Sequence, residues 1–297
     1  MAVYKRTYSR YTGSLTNERW RFTILPRYAL KTVFESKVNT TLFIIALIPY
    51  AVSIVLIYLR SHLDALLTLS PPAVEGLQLL SINGTFFLTI FIVETFASFF
   101  LVALIGPGLV SPDLGNNAMP LYLSRPFSRT EYVLGKLSVL VVLTSLITWV
   151  PGLLLIGLQT SVVGLSWLSD NLRIVAGVVF GSWIWILTIS LIALALSAWV
   201  KWKPVAVAAL FGIFFVAAGF GTASNMLLDM RWGTLVNLPI AMRMIWRWLF
   251  LGESTYVITT PPFGELPAWT GFVTMISICA IALCILSRRI RAAQVVR

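Results

Sequence analysis

Six stretches of about 20 apolar residues decide what this chain can become, because that length carries an α-helix across the ~30 Å hydrocarbon core of a bilayer. Thr40–Leu59 has no charge, and Pro49 near its centre predicts a kink. Thr85–Ile105 carries one charge, Glu94, and stops at Gly106-Pro107-Gly108. Leu137–Leu158 is uncharged and holds Pro151 and Gly152. Ile174–Val200 is uncharged, rich in tryptophan and long enough to cross with tilt. Val205–Gly221 is short, with apolar residues continuing to Leu228, and Ala268–Leu286 ends before Arg288 and Arg289. The expected fold class is an all-α membrane protein with six transmembrane helices. Thirty-nine polar and mixed residues precede the first run, so no signal peptide is expected and the first span serves as an uncleaved anchor.

Composition closes the alternatives. Apolar residues make up 58% and charged residues 11%, against roughly 45–50% and about 25% in soluble proteins. This excludes a water-soluble enzyme, and it excludes disorder, which needs low hydrophobicity and high charge. One histidine and two cysteines exclude a disulfide scaffold and leave almost nothing for a soft-metal site. His62 stands alone near Asp64, while Cys279 and Cys284 fall on different faces of one helix, so no metal ligands and no catalytic residues are assigned.

Lysine and arginine set the orientation. Lys5, Arg6, Arg10, Arg19, Arg21, Arg27, Lys31 and Lys37 precede the first span. Arg125, Arg129 and Lys136 lie between the second and third, Lys201 and Lys203 between the fourth and fifth, and Arg288, Arg289, Arg291 and Arg297 in the tail. Arg60, Arg173, Arg231, Arg243 and Arg247 fall on the other side. A 17-to-5 split among the 22 basic residues predicts that both termini are cytoplasmic, in a plasma or inner membrane. The net charge of +11 is then a topology signal, with no nucleic-acid partner implied. The chain divides into a cytoplasmic segment 1–39, a transmembrane domain 40–287 with a cytoplasmic loop 111–136 and an external loop 223–267, and a cytoplasmic tail 288–297.

Two cytoplasmic segments stand out. Pro26–Lys37 reads as an amphipathic helix on the inner membrane face. Pro26 suits a first helical position, Leu30, Val33 and Phe34 form an apolar stripe, and Arg27, Lys31 and Glu35 recur at i, i+4 and i+8. In the loop 111–136, Met119 to Leu123 is apolar and lies between the breakers Pro120 and Pro126. Ser128-Arg-Thr-Glu131 then forms a capping box opening a helix. A short, rigid, well-capped segment with exposed apolar side chains has the character of a docking knob.

The run Leu121-Tyr-Leu-Ser-Arg-Pro-Phe-Ser-Arg-Thr-Glu-Tyr-Val-Leu-Gly-Lys136 resembles the corresponding loop of type-2 ABC exporter permeases. Those often read as leucines, Ser-Arg-Pro, Ser-Arg, an aromatic residue and Gly-Lys. The likeness extends to the six spans, the amphipathic helix before the first and the long external loop before the last. It implies a permease half that pairs with a second copy or a homologous permease and with two cytoplasmic ATPase subunits. It further implies that Met119, Leu121, Tyr122, Leu123, Arg125, Ser128 and Glu131 couple to the ATPase; the interface-helix residues Arg27, Leu30, Lys31, Val33 and Phe34 either anchor the chain and fix its topology or also contact a cytoplasmic partner. One departure is Asp113-Leu-Gly-Asn-Asn117, where many relatives carry more acidic residues.

The chain carries no motor of its own. A phosphate loop needs G-x-x-x-x-G-K-[ST], but Gly135-Lys136 is followed by Leu137 and position 130 is Thr. No cofactor is expected in this chain; ATP and magnesium belong to the partner subunit. In the external segment, Asn237 caps a helix with Pro239 in its first turn, ending near Gly252. Arg243 and Arg247 stack at i, i+4 among Met242, Trp246 and Trp248, the pattern of an interfacial or re-entrant helix with tryptophan at headgroup depth. The resemblance implies re-entrant helices at the same place.

Glu94 lies mid-span, where a charge costs roughly 2.5–3.5 kcal/mol on insertion scales. It is expected not to face lipid: it turns into the bundle, finds a Ser, Thr or Asn donor, or takes up a proton, with Ser98 one turn along the candidate to share its pocket, and it serves either as a packing residue or as a translocation or gating group. Gly177 and Gly181 form a small-xxx-small face for a close neighbour, with Ala217 and Gly221 a weaker example. Against an exporter stand two rivals. One is an ion-coupled or passive transporter, although Glu94 would be its single intramembrane ionisable group. The other is a non-transporting scaffold that recruits a cytoplasmic partner. The substrate is not legible.

Overall fold

The computed structural model describes residues 23–62, 81–116, 128–200, 202–258 and 264–289. Helix α1 (Ile24–Glu35) is separated from α2 (Lys37–Ser61) by Ser36 alone, whose backbone is extended. The side chains of Asn39 and Thr40 donate to the carbonyls of Val33 and Phe34 at 3.2 and 3.0 Å, so the start of α2 satisfies the end of α1. The expected interface helix therefore starts two residues early and stops two short, with Pro26 still in its first turn. Helix α2 continues through Pro49.

The second span joins α3 (Gly84–Ile105) to α4 (Pro107–Gly115) at Gly106. Asn83 opens it, its side-chain oxygen accepting from the amides of Thr85 and Phe86 at 3.0 and 3.2 Å. The third span is broken: α5 (Arg129–Ser145) gives way at Leu146–Thr148 to α6 (Trp149–Val163). Pro151 explains the break, because its ring has no N–H to donate and clashes with the carbonyl four residues back, at Ile147. A short α7 (Leu165–Asp170) leads into the unbroken α8 (Leu172–Trp199). The fifth span is α9 (Lys203–Phe211), a π-helical turn (Gly212–Val216) and α10 (Ala217–Leu228), which ends at Asp229 in a left-handed conformation (φ 48°). A 3₁₀ turn (Trp232–Val236) and α11 (Leu238–Leu251) follow. Strands β1 (Thr255–Ile258) and β2 (Gly264–Pro267) then form an antiparallel hairpin, with Thr255 opposite Pro267 and Ile258 opposite Gly264. The last helix is α12 (Trp269–Arg289).

Six helical segments are long and apolar enough to cross a membrane: Lys37–Ser61, Gly84–Gly115, Arg129–Val163, Leu172–Trp199, Lys203–Leu228 and Trp269–Arg289. They coincide with the six runs in the sequence, and the protein is a predominantly helical, multi-pass membrane protein. The fourth span is the axis. In its most apolar window 72% of residues are buried, against 22% in the first and fifth spans and 28% in the sixth. Those three outer spans carry many of the exposed aliphatic side chains, such as Ile44, Ile48, Val216, Val273 and Ile276.

Alternation of the spans gives the bundle two ends. The near end carries α1, α4, the start of α5 and the end of α8; the far end carries Gly84, α7 and the hairpin. Side-chain contacts set the register of α3 and α4 on α8, which run in the same direction. Trp185 on α8 donates to Ser98 on α3 at 2.8 Å, and near the end of both, Ser111 bonds Ser197 and Val200.

Helix α11 lies beside the far half of α8 and runs the other way. Its last turn puts the Phe250 ring against Gly177, where a Cβ would stand 2.9 Å from the ring, and Trp246 sits over Gly181. Its first residue, Leu238, reaches Ile192 and Ile213, halfway along the bundle. The descent to that point is made by the 3₁₀ turn folded back on α10, where Gly233 and Gly221 pack with no room for a side chain on either. The small-xxx-small face of α8 thus receives an aromatic helix of the same chain. The Ala217/Gly221 face receives the turn that leads into it.

Candidate functional site

The segment 117–127, with Met119, Leu121, Tyr122, Leu123 and Arg125, lies outside the described residues, but both its stems are within them. On the later side, the capping box is formed. The backbone N–H of Ser128 donates to Glu131 Oε2 at 2.6 Å, and that of Glu131 to Ser128 Oγ at 3.2 Å. On the earlier side, Asp113 of α4 reaches across to α5. Its Oδ2 accepts from the hydroxyl of fully buried Tyr132 at 2.7 Å and from Lys136 Nζ at 2.9 Å. The Lys136 ammonium also lies 5.5 Å from the centre of the Tyr132 ring. One carboxylate therefore joins the two stems.

A second polar knot ties the same stem to the axis. Ser197 Oγ accepts the backbone N–H of Val110 and of Ser111, at 3.0 and 2.9 Å, and donates to Pro107 O at 2.7 Å. The Ser111 hydroxyl sits within 2.9 Å of Ser197 O and 2.8 Å of Val200 O, collecting carbonyls from the last turn of α8. Helix α1 packs against α5 beside this base. Its Val33 is buried, Leu30 is half-buried, and Arg27, Lys31 and Phe34 are exposed, with Phe34 meeting the Phe43 ring edge-on at 5.5 Å.

Within the bundle, Glu94 is fully buried, and neither carboxylate oxygen has a hydrogen-bond partner among the described residues. Tyr50 is its electrostatic neighbour. The Tyr50 hydroxyl donates to Thr148 O at 2.7 Å, at the break between α5 and α6. Ser98 does not serve Glu94: its hydroxyl donates to Thr95 O and accepts from Trp185. The hydroxyl of Ser182 is buried and unpartnered among the described residues.

On α11, Asn237 Oδ1 accepts from Ile240 N at 3.1 Å, and the helix ends at Gly252. Gly252 has φ 80°, and Arg173 fills the place a Cβ would take while donating to the carbonyls of Trp248 and Leu249. Arg243 is exposed, and Arg247 pairs with Glu253. Trp246, read from the sequence as a headgroup-depth residue, is instead 5% exposed. It packs among Phe91, Trp185 and Gly181, and its indole donates to Gly181 O.

Asp113, Ser111 and Ser197 were not singled out from the sequence. The serine pair has no local signal, since its members are 86 residues apart; Asp113 was noted only as a departure from a pattern. No known protein family and no curated protein matches the chain closely enough to lend it a function.

Proposed function

We propose that the chain is the membrane-spanning permease subunit of an ATP-binding-cassette exporter. It pairs with a second permease and takes its power from a separate ATPase that holds ATP and magnesium. What supports this reading is the pinned base of the segment 117–127. The stretch that carries the exporter-like motif is flanked by a capping box and closed by the Asp113–Tyr132–Lys136 clasp. A segment held so rigidly at both stems transmits a push instead of absorbing it. The push passes through α4 and the Ser111–Ser197 knot to the end of α8, the helix around which the other spans pack. In this reading the near end is cytoplasmic, both termini lie there, and α1 rests on the inner membrane face beside the docking segment.

The break at Leu146–Thr148 and the π turn at Gly212–Val216 are interruptions where a span can bend without unpacking its ends. Alternating access is the rocking of the two permease halves about such points. The 3₁₀ turn and α11 then form a re-entrant hairpin on the external side, with Arg243 and Arg247 toward the interface. Glu94 lies within the bundle as a packing or gating group, its carboxylate turned away from lipid.

The test is copurification of the tagged full chain from its native membrane, read for a P-loop ATPase whose activity requires this subunit. Changing Leu121, Tyr122 and Leu123 together to Ser should abolish both association and stimulated ATP hydrolysis, because each buried Leu contributes roughly 1.5–3 kcal/mol. An undiminished complex that still transports would overturn the docking assignment. A captured partner without a P-loop would favour the scaffold reading, and transport without any ATPase the ion-coupled or passive one.

A further inference from the structure

Helix α11 fills the space between α8 and α12 in the far half of the bundle and stops at Leu238. Below it, in the near half, α8 and α12 pack directly, with Thr188 Oγ1 3.6 Å from Cys279 Sγ, and a groove of about 290 Å³ runs along their seam. One wall is Ile192, Ala195, Leu196 and Trp199 of α8, and the other is Ile278, Ile281, Ala282 and Ile285 of α12, with Leu238 and Ile213 at the closed end. Each wall is one helical face read at i, i+3, i+4 and i+7. The lining is apolar throughout, as befits an occupant with no polar atoms.

The open end is different. Arg288 and Arg289 lie three and four residues past Ile285, so both continue the groove-facing side of α12. Both are exposed, and neither pairs with a carboxylate among the described residues. Trp199 stands opposite, 55% exposed, where an indole bridges hydrocarbon and headgroup.

The walls run seven residues, about 10 Å at 1.5 Å per residue. A single extended hydrocarbon chain is narrow enough, and the two arginines call for an anionic group at its end.

We propose that this groove is a binding site for an anionic membrane lipid, with one acyl chain lying along the seam of α8 and α12 beneath the tip of α11 and the phosphate held by Arg288 and Arg289. The proposal requires only that the chain spans a membrane and is independent of the exporter reading.

The test uses the full chain in nanodiscs containing a trace of phosphatidylglycerol or phosphatidylcholine with a photoactivatable group near the end of one acyl chain. Crosslinked peptides are then mapped. Phosphatidylglycerol should label 192–199 and 278–285 at least fivefold more than phosphatidylcholine, since one arginine near an anionic headgroup is worth roughly fivefold. Arg288→Gln with Arg289→Gln should bring the two lipids level. Ile281→Trp, which plugs the groove from an exposed position, should remove labelling of 192–199, while Ile276→Trp on the outer face should leave it intact. Equal labelling of the wild type by both lipids, or labelling unaffected by Ile281→Trp, would overturn the proposal. So would protein–protein crosslinks to a second copy in place of lipid adducts at these residues.

Discussion

Replacing Asp113 with alanine is expected to destabilise the protein by about 3 kcal/mol. Asp113 and Lys136 are 18% and 12% exposed, so their pair is largely removed from water. Breaking a buried pair by removing one partner costs about 3–5 kcal/mol, because the remaining charge is left uncompensated. The residual exposure puts this site near the lower end, and the lost bond from Tyr132 is part of the same sum. For 297 residues at about 2.1 cal/mol/K each, the shift is ~1.6 °C per kcal/mol, a fall of ~5 °C in the unfolding midpoint. Asp113→Asn keeps an acceptor for Tyr132 and removes only the charge, so its loss should be about half as large. Lys136→Gln in the Asp113→Asn background should then cost less than in the wild type, the sign of direct coupling. Thermal unfolding of the purified protein, followed by tryptophan fluorescence at constant detergent, gives the midpoints. Proteolysis within 117–127, measured on folded protein, reports whether the stems have parted. Asp113→Ala within 1 °C of wild type, with unchanged cleavage, would refute the clasp.

Three further outcomes follow from the packing and the charge pattern. Gly177→Leu drives a side chain into the Phe250 ring, 2.9 Å from the nearest possible Cβ, and should destabilise by about 1–3 kcal/mol; partial rescue by Phe250→Ala in the same unfolding assay checks that α11 is the neighbour. Glu94→Gln should assemble and remain stable, whereas Glu94→Ala opens a void; if Glu94 is a gating group the Gln variant also loses transport, and wild-type behaviour of both variants would remove any role. Epitope tags at residue 1, after Asn116 and at the C-terminus should resist external protease in intact cells while one at Gly264 is cut, and protection of the last would contradict six spans.

The spans were legible because a membrane helix is written in consecutive residues, and Lys37–Ser61 or Leu172–Trp199 needs no partner to be recognised. Caps were equally local: Ser128 with Glu131, and Asn237 before Pro239, are signals four and three residues long. The fifth span was read short because Gly219, Gly221 and Asn225 dilute its apolar pattern. Gly221 and Asn225 are also what let the 3₁₀ turn fold back on α10, where the Asn225 amide donates to Thr234 at 2.7 Å. The break before Trp149 and the β1–β2 hairpin had no periodicity to announce them. Trp246 was misplaced because a tryptophan beside arginines looks the same in sequence whether it faces headgroups or a glycine on α8. For the candidate site, the motif was visible and its base was not, since Asp113–Lys136 and Ser111–Ser197 are contacts made only by the folded bundle.

The position of α8 at the axis governs the order in which the protein can be built. Synthesis runs from the N-terminus, so three spans are inserted before the helix they pack around exists. Until Leu172–Trp199 emerges, Ser98 has no indole to receive and the first turn of α4 has no Ser197 to donate to. The early spans form an unfinished wall whose inner face waits in the bilayer. The fourth span closes it in one step, and only then does α8 offer Gly177 and Gly181 as the slot into which α11 is drawn. A ribosome that stalls before residue 200 leaves a product that is inserted yet coreless, the kind of substrate that membrane quality control removes.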